Sequence, residues 1–190
     1  MNKPSQQNQS DILICTAQKN DGLFISRLIT PLVKKFICPD LTAKAQVTML
    51  NSVCPQQIYE NIEDGFCYFL ARPWPAPTFD LPTQSEVQAE STHSTDTLYG
   101  VIGIKDNMHL YHLFVDEDLH HRQIATRLWQ HYLAQLNLTT LDKPRNITVN
   151  SSKYALGFYQ KLGFHWHGQT DQRHGIISYP MSFDTLTHSN

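Results

Sequence analysis

No segment of this sequence is apolar for long enough to cross a bilayer, and no run of basic residues interrupts it. Fifteen Lys and Arg stand against seventeen Asp and Glu, a formal net charge of -2. So small a charge gives no long-range pull toward a polyanion or an anionic lipid surface, and neither nucleic acid nor membrane is expected as a partner. Cysteine is scarce: Cys15, Cys38, Cys54 and Cys67 lie far apart, with no CxxC pair. That spacing speaks against a disulfide framework or a thiolate metal site, and buried structural thiols are expected. The opening "MNKPSQQNQS" lacks the apolar core of a signal peptide. A cytoplasmic protein with a disordered tail over residues 1–10 is expected.

What is there suits one α/β domain over residues 11–185, since 190 residues can bury a sizeable core. "DILICTA" from Asp11 reads as a strand. Asp21 is placed to cap a helix running to about Ile37, with Phe24, Leu28, Val33 and Phe36 on its inner side and Pro31 as a kink. A second helix is expected over Pro55 to Glu63, with proline in its first turn. "GFCYFLAR" is a strand, and the Pro-, Ser- and Thr-rich residues 73–97 read as a mobile insertion, either a plain loop or a lid. Strands follow at Thr97–Asp106 and Met108–Val115, joined through a "KDN" hairpin turn. A helix from Ile124 to Leu136 turns Ile124, Leu128, Leu133 and Leu136 inward. A strand-to-helix unit and the closing strands "FHWHG" and "GIISYPMSF" complete the order β-α-α-β-β-β-α-β-α-β-β, whose βαβ units require a mixed sheet with parallel pairing.

Two segments carry the chemistry. "HLFVDEDLHHRQIATRLW" runs from a strand through a polar loop into a helix, an arrangement that exposes main-chain N–H groups at a helix start, where phosphate binds. "ITVNSSKYALGFYQKLGF" follows, with Asn150, Ala155, Phe158, Tyr159, Leu162, Gly163 and Phe164 in a fixed pattern. The pair resembles the Gcn5-related N-acetyltransferases (GNAT), and the second segment matches their Asn-x4-Ala-x2-Phe-Tyr-x2-Leu-Gly-Phe motif throughout. The resemblance implies a GNAT fold: a mixed central sheet of about seven strands flanked by about four helices. It also implies an acyltransferase that moves an acetyl group from acetyl-CoA to a primary amine of a small molecule or peptide.

By that resemblance Tyr159 is the general acid that protonates the departing thiolate, Phe158 lies beside the cofactor arm, and Asn150 either contacts that arm or stabilises the splay of the strands. The main chain of Leu113, Phe114 and Val115 binds the pantetheine and polarises the thioester carbonyl. His120, His121, Arg122, Gln123, Ile124, Ala125 and Thr126 form the pyrophosphate loop, although this chain departs from the family there. His120 stands where the family has Arg or Gln, and Gln123 where it has glycine. The base positions of the family fall on His109 and Tyr111, which share a strand face, and histidine has the pKa for the task. Asp116, Glu117 and Asp118 read as a solvated acidic loop, with a weak bias toward a cationic acceptor.

No metal site is expected. His109 and His112 are three apart on a strand and point opposite ways, and His165-x-His167 has no acidic or cysteine companion. Two rival readings remain: a GNAT-fold module without catalysis that binds acyl-CoA or a regulatory partner, and an enzyme for a longer acyl donor. An exposed terminal strand also leaves a homodimer within expectation.

Overall fold

The computed structural model describes residues 12–74, 97–106, 108–139, 146–173 and 175–185. The tail expected at 1–10, most of the insertion expected at 73–97, and Asn107 of the hairpin turn lie outside these.

Eight strands and five α-helices follow one another among the described residues. They are β1 (Ile12–Thr16), α1 (Gly22–Phe36), α2 (Ala43–Ser52), α3 (Pro55–Glu63), β2 (Cys67–Pro73), β3 (Gly100–Lys105) and β4 (His109–Val115). Then come α4 (Ile124–Thr139), β5 (Asn146–Ser151), α5 (Leu156–Lys161), β6 (His165–Trp166), β7 (Asp171–Arg173) and β8 (Ile176–Asp184). The strands form one sheet in the order β1-β2-β3-β4-β5-β8-β6, with β7 hydrogen-bonded to β8. Only β4 and β5 run parallel; the other pairs are antiparallel. This is the GNAT fold that the resemblance implied, and no described helix is long and apolar enough to cross a membrane.

The sequence reading misses α2 and β7. The ten residues of α2 bury only Ala45, so no apolar stripe announces it. Thr42 was the available signal, because its hydroxyl accepts from the Ala45 N–H at 3.3 Å as an N-cap does. β7 is short and polar and forms only because β8 offers it an edge. In α1 the buried stripe is Ile25, Ile29, Leu32 and Val33; of the expected inner residues Val33 is fully buried and Phe24 and Leu28 flank the same core partly buried, while the helix continues through Pro31. Asp21 makes no side-chain cap. Its carboxylate instead accepts from the Gln18 N–H at 2.7 Å and pairs with Arg72 at 2.6 Å. Of the four free thiols only Cys38 is buried; Cys15, Cys54 and Cys67 are partly exposed.

Alternation along the strands divides the core in two. Phe69, Ala71, Ile102 and Ile104 face α4 and α5, where they meet Leu128, Trp129, Tyr132 and Phe164. Tyr68, Leu70 and Val101 face α1 to α3, where they meet Ile25, Ile29, Val33 and Ile58.

One polar chain is buried on the α1–α3 side. Asn61 Nδ2 donates to Tyr68 Oη at 3.3 Å, and Tyr68 Oη lies 3.0 Å from His112 Nδ1. The phenol and Nδ1 share one hydrogen bond, and the His112 ring is neutral. Burial drives the His112 pKa down to about 3. Gly103 makes room for this chain: a Cβ there would come within 2.4 Å of the Tyr68 ring.

Two outcomes follow. Gly103→Ala forces the Tyr68 ring aside and lowers stability by about 1–3 kcal/mol in urea unfolding, the range for overpacking a core. His112 also makes stability depend on pH. Its folded pKa of about 3 lies below the unfolded value near 6.5, so between these the unfolded chain binds more protons. The contribution is complete above about pH 6.5 and is lost as pH falls toward 3, at up to about 1.4 kcal/mol per pH unit. Burial lowers His109 and His131 in the same direction. Unfolding of His112→Asn across this range gives a shallower slope than the wild type.

Candidate active site

The parallel pairing of β4 and β5 is only two residues long. His109 lies beside Thr148 and Leu110 beside Val149, after which the strands part. Each keeps its outer neighbour along its length, β4 on β3 and β5 on β8. A wedge-shaped gap therefore opens between Tyr111–Val115 and Asn150–Ser151, with its apex at Leu110 and Val149.

Main-chain groups line this gap. The Asp116 N–H bonds to Tyr99 O, on the β3 side, at 2.9 Å. Strand alternation then turns Phe114 toward β3, and Leu113 and Val115 toward the gap. His120 Nε2 meets Val115 O at 3.2 Å, which places that carbonyl on the gap side. The faces of the side chains are equally clear. Leu113 and Val115 pack with the α4–α5 core, and Phe114 with the α1–α3 core.

A bulge interrupts β4 beside the apex. Gly103 pairs with His112 but Ile104 with Leu110, leaving Tyr111 as the extra residue. His109 and Tyr111 share the α1–α3 face as strand period predicts, and the bulge adds His112 to it. His109 is half-buried, and its Nδ1 lies 2.7 Å from Thr148 Oγ1 across the closed end of the gap. Burial lowers its pKa, with Lys105 adding to the effect and Asp106 opposing it. The ring is neutral at pH 7 and its Nε2 is left for another partner. Tyr111 is exposed, with its ring edge-on to Phe66 at 5.4 Å.

The open end of the gap leads into the loop before α4. Arg127 N bonds Gln123 O at 2.9 Å, so Gln123 accepts the first bond of the helix. The N–H groups of Gln123, Ile124, Ala125 and Thr126 consequently have no acceptor inside the helix, and they form an anion-attracting end. The Ile124 side chain is buried in the core, so this residue offers its main chain alone. His121 and Gln123 have φ of 66° and 59°. Gln123 thus adopts at a strain cost of about 1 kcal/mol the backbone that glycine takes freely. Its side chain is exposed, as are those of His121 and Arg122. The acidic loop is locally engaged: Glu117 pairs with Lys35, and Asp116 Oδ1 accepts from Asp118 N at 2.9 Å.

The Leu-Gly-Phe of the second motif ends α5 in a defined way. Phe164 N bonds Tyr159 O at 3.0 Å and Gly163 N bonds Gln160 O at 3.0 Å, with Gly163 at φ 94°. This is the Schellman closure, which needs glycine at the left-handed position. It brings the Phe164 ring to 5.5 Å from that of Tyr159, which Phe158 flanks at 5.5 Å on another side. Tyr159 is buried, and burial alone raises its pKa, so the phenol keeps its proton.

Sequence reasoning overlooked Thr148, Tyr68 and an aromatic contact at the mouth of the gap. There Phe36 at the end of α1 stacks on Tyr154 before α5, with centroids 4.7 Å apart and planes at 20°. Phe36 also lies 6.4 Å from the His120 ring. These residues meet through topology, and no spacing in the sequence relates them. Asn150 is exposed on β5, one residue beyond the last β4–β5 pair. Among the described residues no group of three or more His, Cys, Asp or Glu is arranged to hold a metal ion.

The architecture recurs among solved structures. A GCN5-related N-acetyltransferase from Rhodopseudomonas palustris superposes with a TM-score of 0.64 at 16% identity, covering 94% of this chain and 99% of its own. PaiA N-acetyltransferase from Thermoplasma acidophilum, solved in complex with coenzyme A, gives 0.63 at 14% identity, covering 90% and 98%. Apo YjaB from Escherichia coli gives 0.60 at 17% identity, covering 90% and 97%. At these identities the likeness is one of fold. No curated protein sequence matches. A family model described as an acetyltransferase (GNAT) domain matches residues 80–185, more than half of the sequence. The chain belongs to the GNAT acetyltransferase family.

Proposed function

We propose that the protein transfers an acetyl group from acetyl-CoA to a primary amine of a small molecule or peptide. The observation that carries this reading is the gap between β4 and β5, which closes at Leu110 and Val149 and opens toward the free N-terminus of α4. A long ligand with an anionic end fits such a site, with phosphates at the N–H groups of residues 123–126 and the arm along Leu113 and Val115. His120, His121 and Arg122 lie at the same end and add positive or hydrogen-bonding character. Asn150 and Phe158 border the arm from the β5 side, and Phe114 packs behind β4.

Chemistry then takes place near the apex. The neutral amine attacks the thioester carbonyl, the new C–N bond forms, and the C–S bond breaks. Polarisation of the carbonyl falls to main-chain N–H groups of β4. Tyr159, kept protonated by its apolar surroundings, donates to the departing thiolate. His109 is the base that removes the amine proton, through Nε2, while Thr148 holds Nδ1. It is neutral at pH 7, as a base must be.

A second reading has its own observation. His120 lies on the Val115 carbonyl that the arm would use, and Gln123 replaces the glycine of the family loop. A GNAT-fold module without catalysis that binds acyl-CoA or a regulatory partner accounts for both.

Calorimetry with acetyl-CoA and a thiol-release assay over a panel of amines separate the two. The enzyme reading expects saturable binding and thiol release dependent on amine. Tyr159→Phe then lowers kcat by about 10²–10⁴, the usual worth of a general acid, while acetyl-CoA still binds. Unchanged turnover in that variant removes Tyr159 from the role. Gln123→Gly is expected to tighten acetyl-CoA binding without loss of stability, because relief of about 1 kcal/mol of left-handed strain offsets the flexibility that glycine adds to the unfolded chain. A fall in its urea midpoint would count against the strain argument.

A further inference from the structure

The buried chain Asn61–Tyr68–His112 belongs to no step above, yet it ends on the strand that lines the gap. His112 follows Tyr111, the extra residue of the bulge, and pairs with Gly103 on β3. Leu110 and Leu113 both pack with the α4–α5 core although they are three residues apart. A regular strand cannot place residues three apart on one face; the bulge makes the difference. It therefore decides which main-chain groups beyond it face the gap. Tyr68 is the side chain that fixes the bulge. Its ring lies over the bare Cα of Gly103 and reaches across β3 to His112, while Asn61 of α3 holds its oxygen.

The place of the bulge gives this contact a role. Phosphates at α4 leave only one direction for the arm, toward the apex, so the acyl group ends beside Tyr111. We propose that Asn61, Tyr68 and His112 are positioning residues that hold the β4 bulge, and thereby aim the main chain at the acyl end of the bound thioester. This rests on the acetyl-CoA reading above. The three residues touch neither the phosphates nor the open end of the gap, so their influence is confined to the acyl end.

The test uses the intact protein and needs no amine. Calorimetry measures the affinity of acetyl-CoA and of CoA for the wild type, Tyr68→Phe, His112→Leu and His112→Asn, with melting temperatures alongside. Tyr68→Phe and His112→Leu are expected to weaken acetyl-CoA by about tenfold, roughly one neutral hydrogen bond, and to leave CoA nearly unchanged. His112→Asn keeps a hydrogen-bond partner for the Tyr68 hydroxyl in either direction and should restore most of the difference. A drop in melting temperature with acetyl-CoA and CoA affinities shifted equally, or not at all, means a purely structural contact and overturns the proposal. Should Tyr68→Phe not fold, the His112 pair decides alone: equal acetyl-CoA preference in the Leu and Asn variants overturns it. A wild type that binds neither ligand refutes the acetyl-CoA reading itself, and the proposal with it.

Discussion

A parallel ladder that stops after two residues governs this molecule. β4 and β5 are held together at His109–Leu110 and Thr148–Val149 and nowhere further along. Beyond that point each strand stays paired with its outer neighbour, and the inner edges part. Unpaired main-chain groups are costly when buried, so a protein keeps such an edge only where a ligand or water completes it. The free N–H groups at the start of α4, the buried phenol of Tyr159 and the bulge at Tyr111 all lie around the gap this creates.

Several devices keep the gap open and its walls in register. The Schellman closure at Gly163 locks α5 and sets Tyr159 against Phe164. His109 and Thr148 clasp the closed end. On the other face, Asn61, Tyr68 and His112 tie α3, β2 and β4 together beneath the bulge. Each replaces solvent by a specific partner in a poorly polarisable interior, where a satisfied contact rigidifies and a broken one is expensive. At the mouth, Phe36, Tyr154 and His120 bring together α1, the turn before α5 and the loop before α4.

Residue patterns with a strong period were legible in the sequence. Pro55 with its amphipathic sequel marks α3, and the apolar spacing of Ile124, Leu128 and Leu136 marks α4. The motif from Asn150 to Phe164 singled out Tyr159 and the family by resemblance, and its glycine marks where the short helix α5 closes. Weak periods failed. α2 buries one residue and β7 none, so only their tertiary neighbours define them. Asp21 looked like a cap until Arg72 and the Gln18 N–H claimed its carboxylate.

What the sequence by itself determined was therefore local: helix and strand periods, the glycine that ends α5, and the loop that leads into α4. These depend on contacts within a turn or two of the chain, where spacing translates directly into geometry. Only the tertiary structure decided where β4 and β5 part, that a bulge shifts β4 at Tyr111, and that His112 meets a tyrosine 44 positions earlier. Strand pairing joins residues without regard to their separation, and a one-residue shift in register reassigns every face beyond it. No pattern along the chain carries that information.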